Sequence, residues 1–361
     1  MPTSVRSFAK INIGLCIGDR RADGFHELRT IYQTISLHDT LRVEVARGTG
    51  IEIRSKDPRV PDDETNTCWR VADRVMRSLK QRAKITISID KQLPVQGGLG
   101  AASSNAVATM LALERALKQE LSPEERLRIA ADVGSDLPLF LVGGTVLGVG
   151  RGEQVLPVQD IPKIDIVIVT PEIGVSTPEA FRDWDEQFGP VERFGPESGM
   201  PPRDRGAVAA NSSDATSLTQ QNASDRMSKF SRTAFMWLAG SLPRTFGRGF
   251  PGQSAAGVPV SVDNGGQAET PLLDLVRAGM ENDFERVVFP KHPSLREAKR
   301  ALEREGARYS SLSGSGSTLY GLFESTEQAE SSARRLSDAG LPAIATKTVP
   351  RSQYWQRMFE F

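Results

Sequence analysis

The sequence predicts an α+β protein built in two parts, and three observations predict it. Strand-like and helical apolar patterns succeed one another over the first 170 residues, a polar stretch at about 189–229 carries neither, and helix and strand patterns alternate again from Thr270 onward. The parts are expected at 1–170 and 171–361, with the polar stretch as an insert in the second. A chain of 361 residues is long enough for two domains, or for one large domain with an appendage, around a sizeable core.

In chain order, RSFAKINIGLCI from Arg6 and TISLHDTLRVEVA from Thr34 alternate as strands do, TNTCWRVADRVMRSLK from Thr65 has helical spacing, and AKITISIDK from Ala83 alternates again. In SSNAVATMLALERALK the apolar Ala106, Met110, Leu113 and Leu117 recur at steps of three or four, so one helix face packs inward, and Ser103 or Ser104 is placed to cap the start. SPEERLRIAADVG reads as a further helix and KIDIVIVTP, from Lys163, as a buried strand.

From Phe188 to Ser228 the chain is rich in Gly, Pro, Ser, Asn and charge, with too little apolar periodicity to build a core, so an inserted loop or a disordered segment is expected. Order is expected to resume near Phe230. Beyond it, PLLDLVRAGMEND, SLREAKRALEREG and TEQAESSARRLSDAG read as helices, and YSSLSG, STLYGLF and AIATKTV as strands, which makes an α+β domain of ferredoxin-like character.

Charge and the rarer residues narrow the function. With 45 basic and 45 acidic side chains the formal net charge is zero, which argues against nucleic acid as the main partner. The densest basic stretch, RVMRSLKQRAK from Arg74, carries apolar residues at helical spacing and reads as a solvated helix face. Cys16 and Cys68 lie far apart without CxxC spacing, as expected in a reducing compartment, and His26, His38 and His292 offer no pair spaced for zinc; no side-chain metal site is expected. LPLFLVGGTVLGVG from Leu137 is too short and glycine-rich to span a bilayer, and the N-terminus lacks the order of a signal peptide. A cytoplasmic protein without membrane contact, monomeric or homodimeric, is expected.

The stretch LPVQGGLGAASSN, Leu93 to Asn105, carries the most chemistry. Its glycines let another group approach the backbone closely. It lacks the Lys-Ser/Thr pair of a P-loop, and Ser103 stands where a dinucleotide fingerprint has its last glycine. What remains is a loop entering a helix N-terminus, where free N–H groups and the helix dipole favour a phosphate and Ser103 and Ser104 add hydroxyls; a plain tight turn is the alternative. SGSGS from Ser313, between strand-like flanks, reads as a tight turn of hairpin type.

Together these segments form a recognisable series. PVQGGLGAASSNA resembles the second motif of the GHMP kinase superfamily, AKINIGLCI the first, and SLSGSGSTLYGLF the third, in the family's order. Within the superfamily, RRADGFHEL from Arg20 resembles the RADG(Y/F)H segment of the 4-diphosphocytidyl-2-C-methyl-D-erythritol kinases. VGSDLPLF around Asp136, TNT with Asn66, VSTPEAF around Phe181 and ENDFE from Glu281 resemble that family too, and the likeness covers roughly residues 4–188 and 270–350.

The resemblance implies the GHMP kinase fold: an N-terminal α/β domain like ribosomal protein S5 domain 2, and a ferredoxin-like C-terminal domain. It implies ATP-dependent phosphorylation, with Mg²⁺, of the 2-hydroxyl of 4-diphosphocytidyl-2-C-methyl-D-erythritol on the non-mevalonate route to isoprenoids. Carried over residue by residue, Asp136 is the catalytic base and Lys10 orients it and steadies developing negative charge. Pro94, Gly97, Gly98, Leu99, Gly100, Ala101, Ala102, Ser103 and Ser104 would wrap the ATP phosphates, with Asn66 and Lys91 near the adenine. Asn12 and Thr177 would hold substrate, Phe25 and Phe181 would stack on the cytosine, and His26 would bond its polar edge.

Departures from the family pattern are Gln96, Ala101 and Ala102, where the group often has glycine, and Phe25 in place of the commoner tyrosine. No acidic residue adjoins the glycine loop, so Mg²⁺ is expected on phosphates, hydroxyls and water. Two other readings stand beside this one: a GHMP kinase of homoserine or mevalonate type, which RADGFH argues against, and an inactive binding protein on the same fold, which Lys10, Asp136 and the intact glycine loop argue against.

Overall fold

Two long strands carry the start of the chain. β1 (Thr3–Arg20) and β2 (His26–Ala46) run antiparallel, from Thr3 opposite Val43 to Arg20 opposite His26, with irregular register at Phe8–Lys10, Ile13–Leu15 and Ile17–Arg20. The computed structural model describes residues 2–95, 97–189, 227 and 281–359. The far edge of β2 is shared by β4 (Lys84–Asp90) and β5 (Thr145–Val149); β3 (Gly50–Ser55) runs parallel to β4, and β6 (Gln154–Pro157) extends β5.

Helices α1 (Thr67–Ser78), α2 (Ala101–Leu117) and α3 (Pro123–Val133) lie over one face of this sheet. Val71, Val75, Met110, Leu113 and Ile129 pack there against Val5, Phe8, Leu41, Val43, Ile85 and Ile87. α2 is not the one-faced helix that its apolar spacing predicts. Every residue from Ser104 to Glu114 is buried, because the helix lies between the sheet, α1 and the short α4 (Leu137–Phe140).

The second sheet has the strand order β10 (Ala343–Lys347), β7 (Asp165–Val169), β9 (Leu319–Phe323), β8 (Tyr309–Leu312), every pair antiparallel. With α5 (Thr177–Phe188), α6 (Glu285–Lys291) and α7 (Pro293–Arg304) between β7 and β8, and α8 (Thr326–Asp338) between β9 and β10, this is the split βαβ arrangement of a ferredoxin-like domain. β7 lies on the N-terminal side of the boundary expected at residue 170, yet it is the first strand of this unit. It is buried on both faces. Ile166 and Ile168 meet Ile11, Ile13 and Ile31 of the first sheet, while Val167 and Val169 meet Leu302 of α7 and Leu336 of α8.

α9 (Arg351–Met358) returns to the first domain, where Tyr354 donates to Phe140 O at 2.7 Å. The insert expected at about 189–229 lies outside the described residues except for Gly189 and Met227, as do the return of order near Phe230 and residues 271–280 of PLLDLVRAGMEND. Met227 is buried beside Gly18, and its carbonyl accepts from Arg29 Nη1 at 2.9 Å. Cys16 and Cys68 are both buried, and burial pushes the Cys68 thiol up to about 12, which keeps it protonated and unreactive. Among the described residues, no helix is long and apolar enough to cross a membrane.

Candidate active site

The glycine stretch joins β4 to α2, and three successive carbonyls pin it. Gly97 O accepts from Thr318 N at 3.1 Å, Gly98 O from Ser313 Oγ at 3.0 Å, and Leu99 O from Lys10 N at 3.0 Å. Ser313 opens the SGSGS turn between β8 and β9 and Thr318 follows it, so the third motif closes on the second. Closure demands glycine: Gly98 has φ +80°, and a Cβ there would overlap the carbonyl oxygen of Ser313.

α2 starts with Gly100 as N-cap and has no side-chain cap, so its first N–H groups open on a cavity of about 850 Å³. The cap expected of Ser103 or Ser104 is not made, because Gly100, at φ +70°, starts the helix earlier than the apolar spacing implies. Pro94, Gly97, Gly98, Gly100, Ala101, Ala102 and Ser103 line the cavity. Leu99 and Ser104 turn away from it. Leu99 is buried in the core, and Ser104 donates to Phe8 O at 2.6 Å while accepting from Ser7 Oγ at 2.7 Å.

Lys10 and Asn12 share one face of β1. Lys10 is buried; its Nζ donates to Asn12 Oδ1 at 2.6 Å and lies 3.4 Å from Asp136 Oδ2. Asn12 in turn donates to Thr30 Oγ1 at 2.8 Å. Asp136 sits at the start of α4, just past the end of α3, and its Oδ1 accepts from Tyr32 OH at 3.2 Å. Burial, reinforced by the Asp136 charge, holds the Tyr32 phenol well above its ordinary range, so it remains a donor. Gly148 and Gly152 make room for Tyr32, since a Cβ at either would crowd its ring or hydroxyl. The Asp136 side chain is 34 % exposed on the cavity while Lys10 is 4 % exposed. Such a pair can take a proton on the carboxylate and attract developing negative charge with the ammonium.

A second wall of the same cavity carries aromatics. Phe25 is 52 % exposed, with the Arg151 guanidinium 4.8 Å from its ring centroid. His26 is buried. Its ring lies parallel to Phe181 with centroids 5.1 Å apart, and its Nε2 is 2.7 Å from Asp185 Oδ1. Phe181, expected to stack on a base, thus already carries His26 over part of its face, while Phe284 packs edge-on against it at 5.0 Å. Thr177, the first residue of α5, shares a 2.7 Å hydrogen bond with Ser315 Oγ and ties this wall to the SGSGS turn.

Asn66 and Lys91 also line the cavity, with both side chains engaged. Asn66 caps α1 by accepting from Cys68 N at 2.9 Å and donates to Pro61 O at 2.7 Å. Lys91 Nζ donates to Asp39 Oδ2 at 2.7 Å; Asp39, fully buried, also accepts from Gln92 N, Leu93 N and Asn105 Nδ2. Asp39 therefore fastens the segment that enters the glycine loop. Asp39→Ala is expected to lower stability by about 3–5 kcal/mol, because Lys91 would stay buried without its counter-charge. Urea unfolding measures it, and a loss below about 1 kcal/mol would mean that Lys91 reaches water.

ENDFE, noted in the sequence without a role, holds the third motif in place. Asn282 Nδ2 donates to Leu312 O at 2.8 Å and Gly314 O at 2.7 Å, and Glu285 Oε1 accepts from Ser311 Oγ and Leu312 N, both at 2.9 Å. Tyr32, Asp39, Arg151 and Asp185 have no place in the sequence reading. Only Asp39 left a signal there, as an acid inside an otherwise alternating strand.

The cradle suits a triphosphate: an uncapped helix start, glycines that admit no side chain, and the Ser103 hydroxyl on the cavity. Among the described residues no three His, Cys, Asp or Glu side chains cluster as a metal site. Ser103 and Asp136 are oxygens that the cavity offers to Mg²⁺, an ion that keeps phosphate and water ligands.

Known proteins place this arrangement. Residues 66–144 match the family model of the GHMP kinases N terminal domain, and residues 268–341 that of the GHMP kinases C terminal. A 4-diphosphocytidyl-2-C-methyl-D-erythritol kinase from Solibacter usitatus is 35% identical over 321 residues, 88% of this chain and 80% of its own length. One from Nocardia farcinica is 32% identical over 341 residues, 94% of this chain and 91% of its own. The crystal structure of a 4-(cytidine 5'-diphospho)-2C-methyl-D-erythritol kinase matches with a TM-score of 0.65 at 25% identity, covering 96% of this chain and 98% of that one. With this identity spread over nearly the whole chain, on the same fold, the chain belongs to the 4-diphosphocytidyl-2-C-methyl-D-erythritol kinase family of the GHMP kinases.

Proposed function

We propose that the protein transfers the γ-phosphoryl group of ATP to the 2-hydroxyl of 4-diphosphocytidyl-2-C-methyl-D-erythritol. One observation carries this reading: a single cavity holds the glycine loop at α2, the Lys10–Asp136 pair, and the His26–Phe181 wall. Phosphoryl transfer asks mainly for positioning and charge stabilisation. Gly97 to Ser103 receive the triphosphate through backbone N–H groups and one hydroxyl. Asp136 takes the proton of the attacking hydroxyl as its oxygen bonds to the γ-phosphorus and the bond to ADP breaks, and Lys10 stabilises the charge that develops. Mg²⁺ on the phosphates and Ser103 would neutralise part of the triphosphate charge. A base stacking on the open part of the Phe181 face is coplanar with His26, because the two rings are parallel and offset, and its polar edge then meets an imidazole nitrogen.

ATP-dependent turnover of four alcohols at equal concentration tests the assignment. The cytidine ester is expected to exceed galactose, homoserine and mevalonate by roughly 10⁴-fold in kcat/KM, since those leave the aromatic wall wet and His26 unpartnered. Faster phosphorylation of any of the three would overturn it.

A further inference from the structure

Asp185 has no part in the phosphate cradle or in the Lys10–Asp136 pair, yet its carboxylate lies on the cavity wall against His26. Phe181 and Asp185 are four residues apart on α5, so they share one helix face. That face grips His26 twice, through the stacked ring at 5.1 Å and the hydrogen bond at 2.7 Å. Stacking fixes the plane of the imidazole, and the hydrogen bond fixes its rotation within that plane. An ionised carboxylate only accepts hydrogen bonds, so Nε2 must carry the proton. In the neutral ring Nδ1 is then an acceptor.

We propose that Asp185 is a positioning residue that sets base specificity: it holds His26 in the Nε2–H tautomer, so that Nδ1 accepts from the exocyclic amino group of a cytosine and meets lone pair with lone pair at the 4-oxygen of a uracil. The inference rests on the reading that places the base edge at His26. Without the carboxylate the ring is free to protonate at Nδ1 and donate to a carbonyl. A carboxamide at 185 keeps the shape and can donate to Nε2, which favours that other tautomer.

The test compares the cytidine and uridine diphosphate esters of methylerythritol on the full-length enzyme, alongside ¹⁵N NMR of His26 without substrate. In Asp185→Asn and Asp185→Ala the cytidine-over-uridine ratio of kcat/KM is expected to fall at least tenfold, through KM for the esters, with KM for ATP and kcat for the cytidine ester within about threefold of wild type. The wild-type spectrum should show the Nε2–H form, and Asp185→Asn should shift it towards Nδ1–H. An equal rise in KM for both esters, with the ratio kept, would make Asp185 merely structural and overturn the proposal. So would a wild-type ring protonated at Nδ1. A His26→Ala enzyme that keeps the wild-type ratio would instead remove the base from His26 and overturn the underlying reading, while the spectra still report whether Asp185 sets the tautomer.

Discussion

Asp136→Asn is expected to lower kcat by roughly 10²- to 10⁴-fold while leaving KM for ATP and for the cytidine ester within about threefold. The carboxamide keeps the side-chain shape, and its oxygen can still accept from Tyr32 OH, which lies 3.2 Å from Asp136 Oδ1. What it cannot do is accept the proton of the attacking hydroxyl. Lys10→Met should lower kcat to a similar degree, because the ammonium 3.4 Å from Asp136 Oδ2 is the cation this carboxylate faces on the cavity. Single-turnover measurements isolate the chemical step from product release. An Asp136→Asn enzyme with a near wild-type single-turnover rate would show that the base lies elsewhere, and a mild Lys10→Met phenotype would point to another cation.

Local pattern made much of this molecule legible and long-range pairing hid the rest. Lys10 and Asn12 could be put on one face of a strand from their spacing alone, and β7 was readable because IVIV leaves no polar face. β5 was not readable: Thr145 and Gly148 break its alternation, and its place is set by pairing with residues 30–33 of β2. The start of α2 departs from the serine cap that its sequence signals, because a left-handed Gly100 opens the helix here. Asp39 and Asp185 act on partners 52 and 159 residues away, and no local spacing announces such a contact. The same holds for His26 lying on Phe181, which follows from α5 packing beside the start of β2.

Gly98→Ala is expected to lower kcat/KM for ATP by roughly 10²-fold, since a shift of about 1 Å in a positioning loop has effects of that size. Two separate penalties act at Gly98. Its φ of +80° strains any side chain, at about 1–2 kcal/mol, and the added Cβ overlaps the Ser313 carbonyl oxygen, which is backbone and cannot rotate away. Either the loop or the SGSGS turn must move, and the bonds of Gly97 O to Thr318 N and of Gly98 O to Ser313 Oγ stretch with it. Gly340→Ala separates the two penalties: Gly340 has φ +82°, and a Cβ there would meet no described atom within 4 Å, so strain acts alone. That variant should lose about 1–2 kcal/mol of stability and bind ATP as wild type does. If Gly98→Ala shows the same modest loss and an unchanged kcat/KM for ATP, the loop tolerates displacement from the turn. The closure of the third motif on the second would then not be what positions the phosphates.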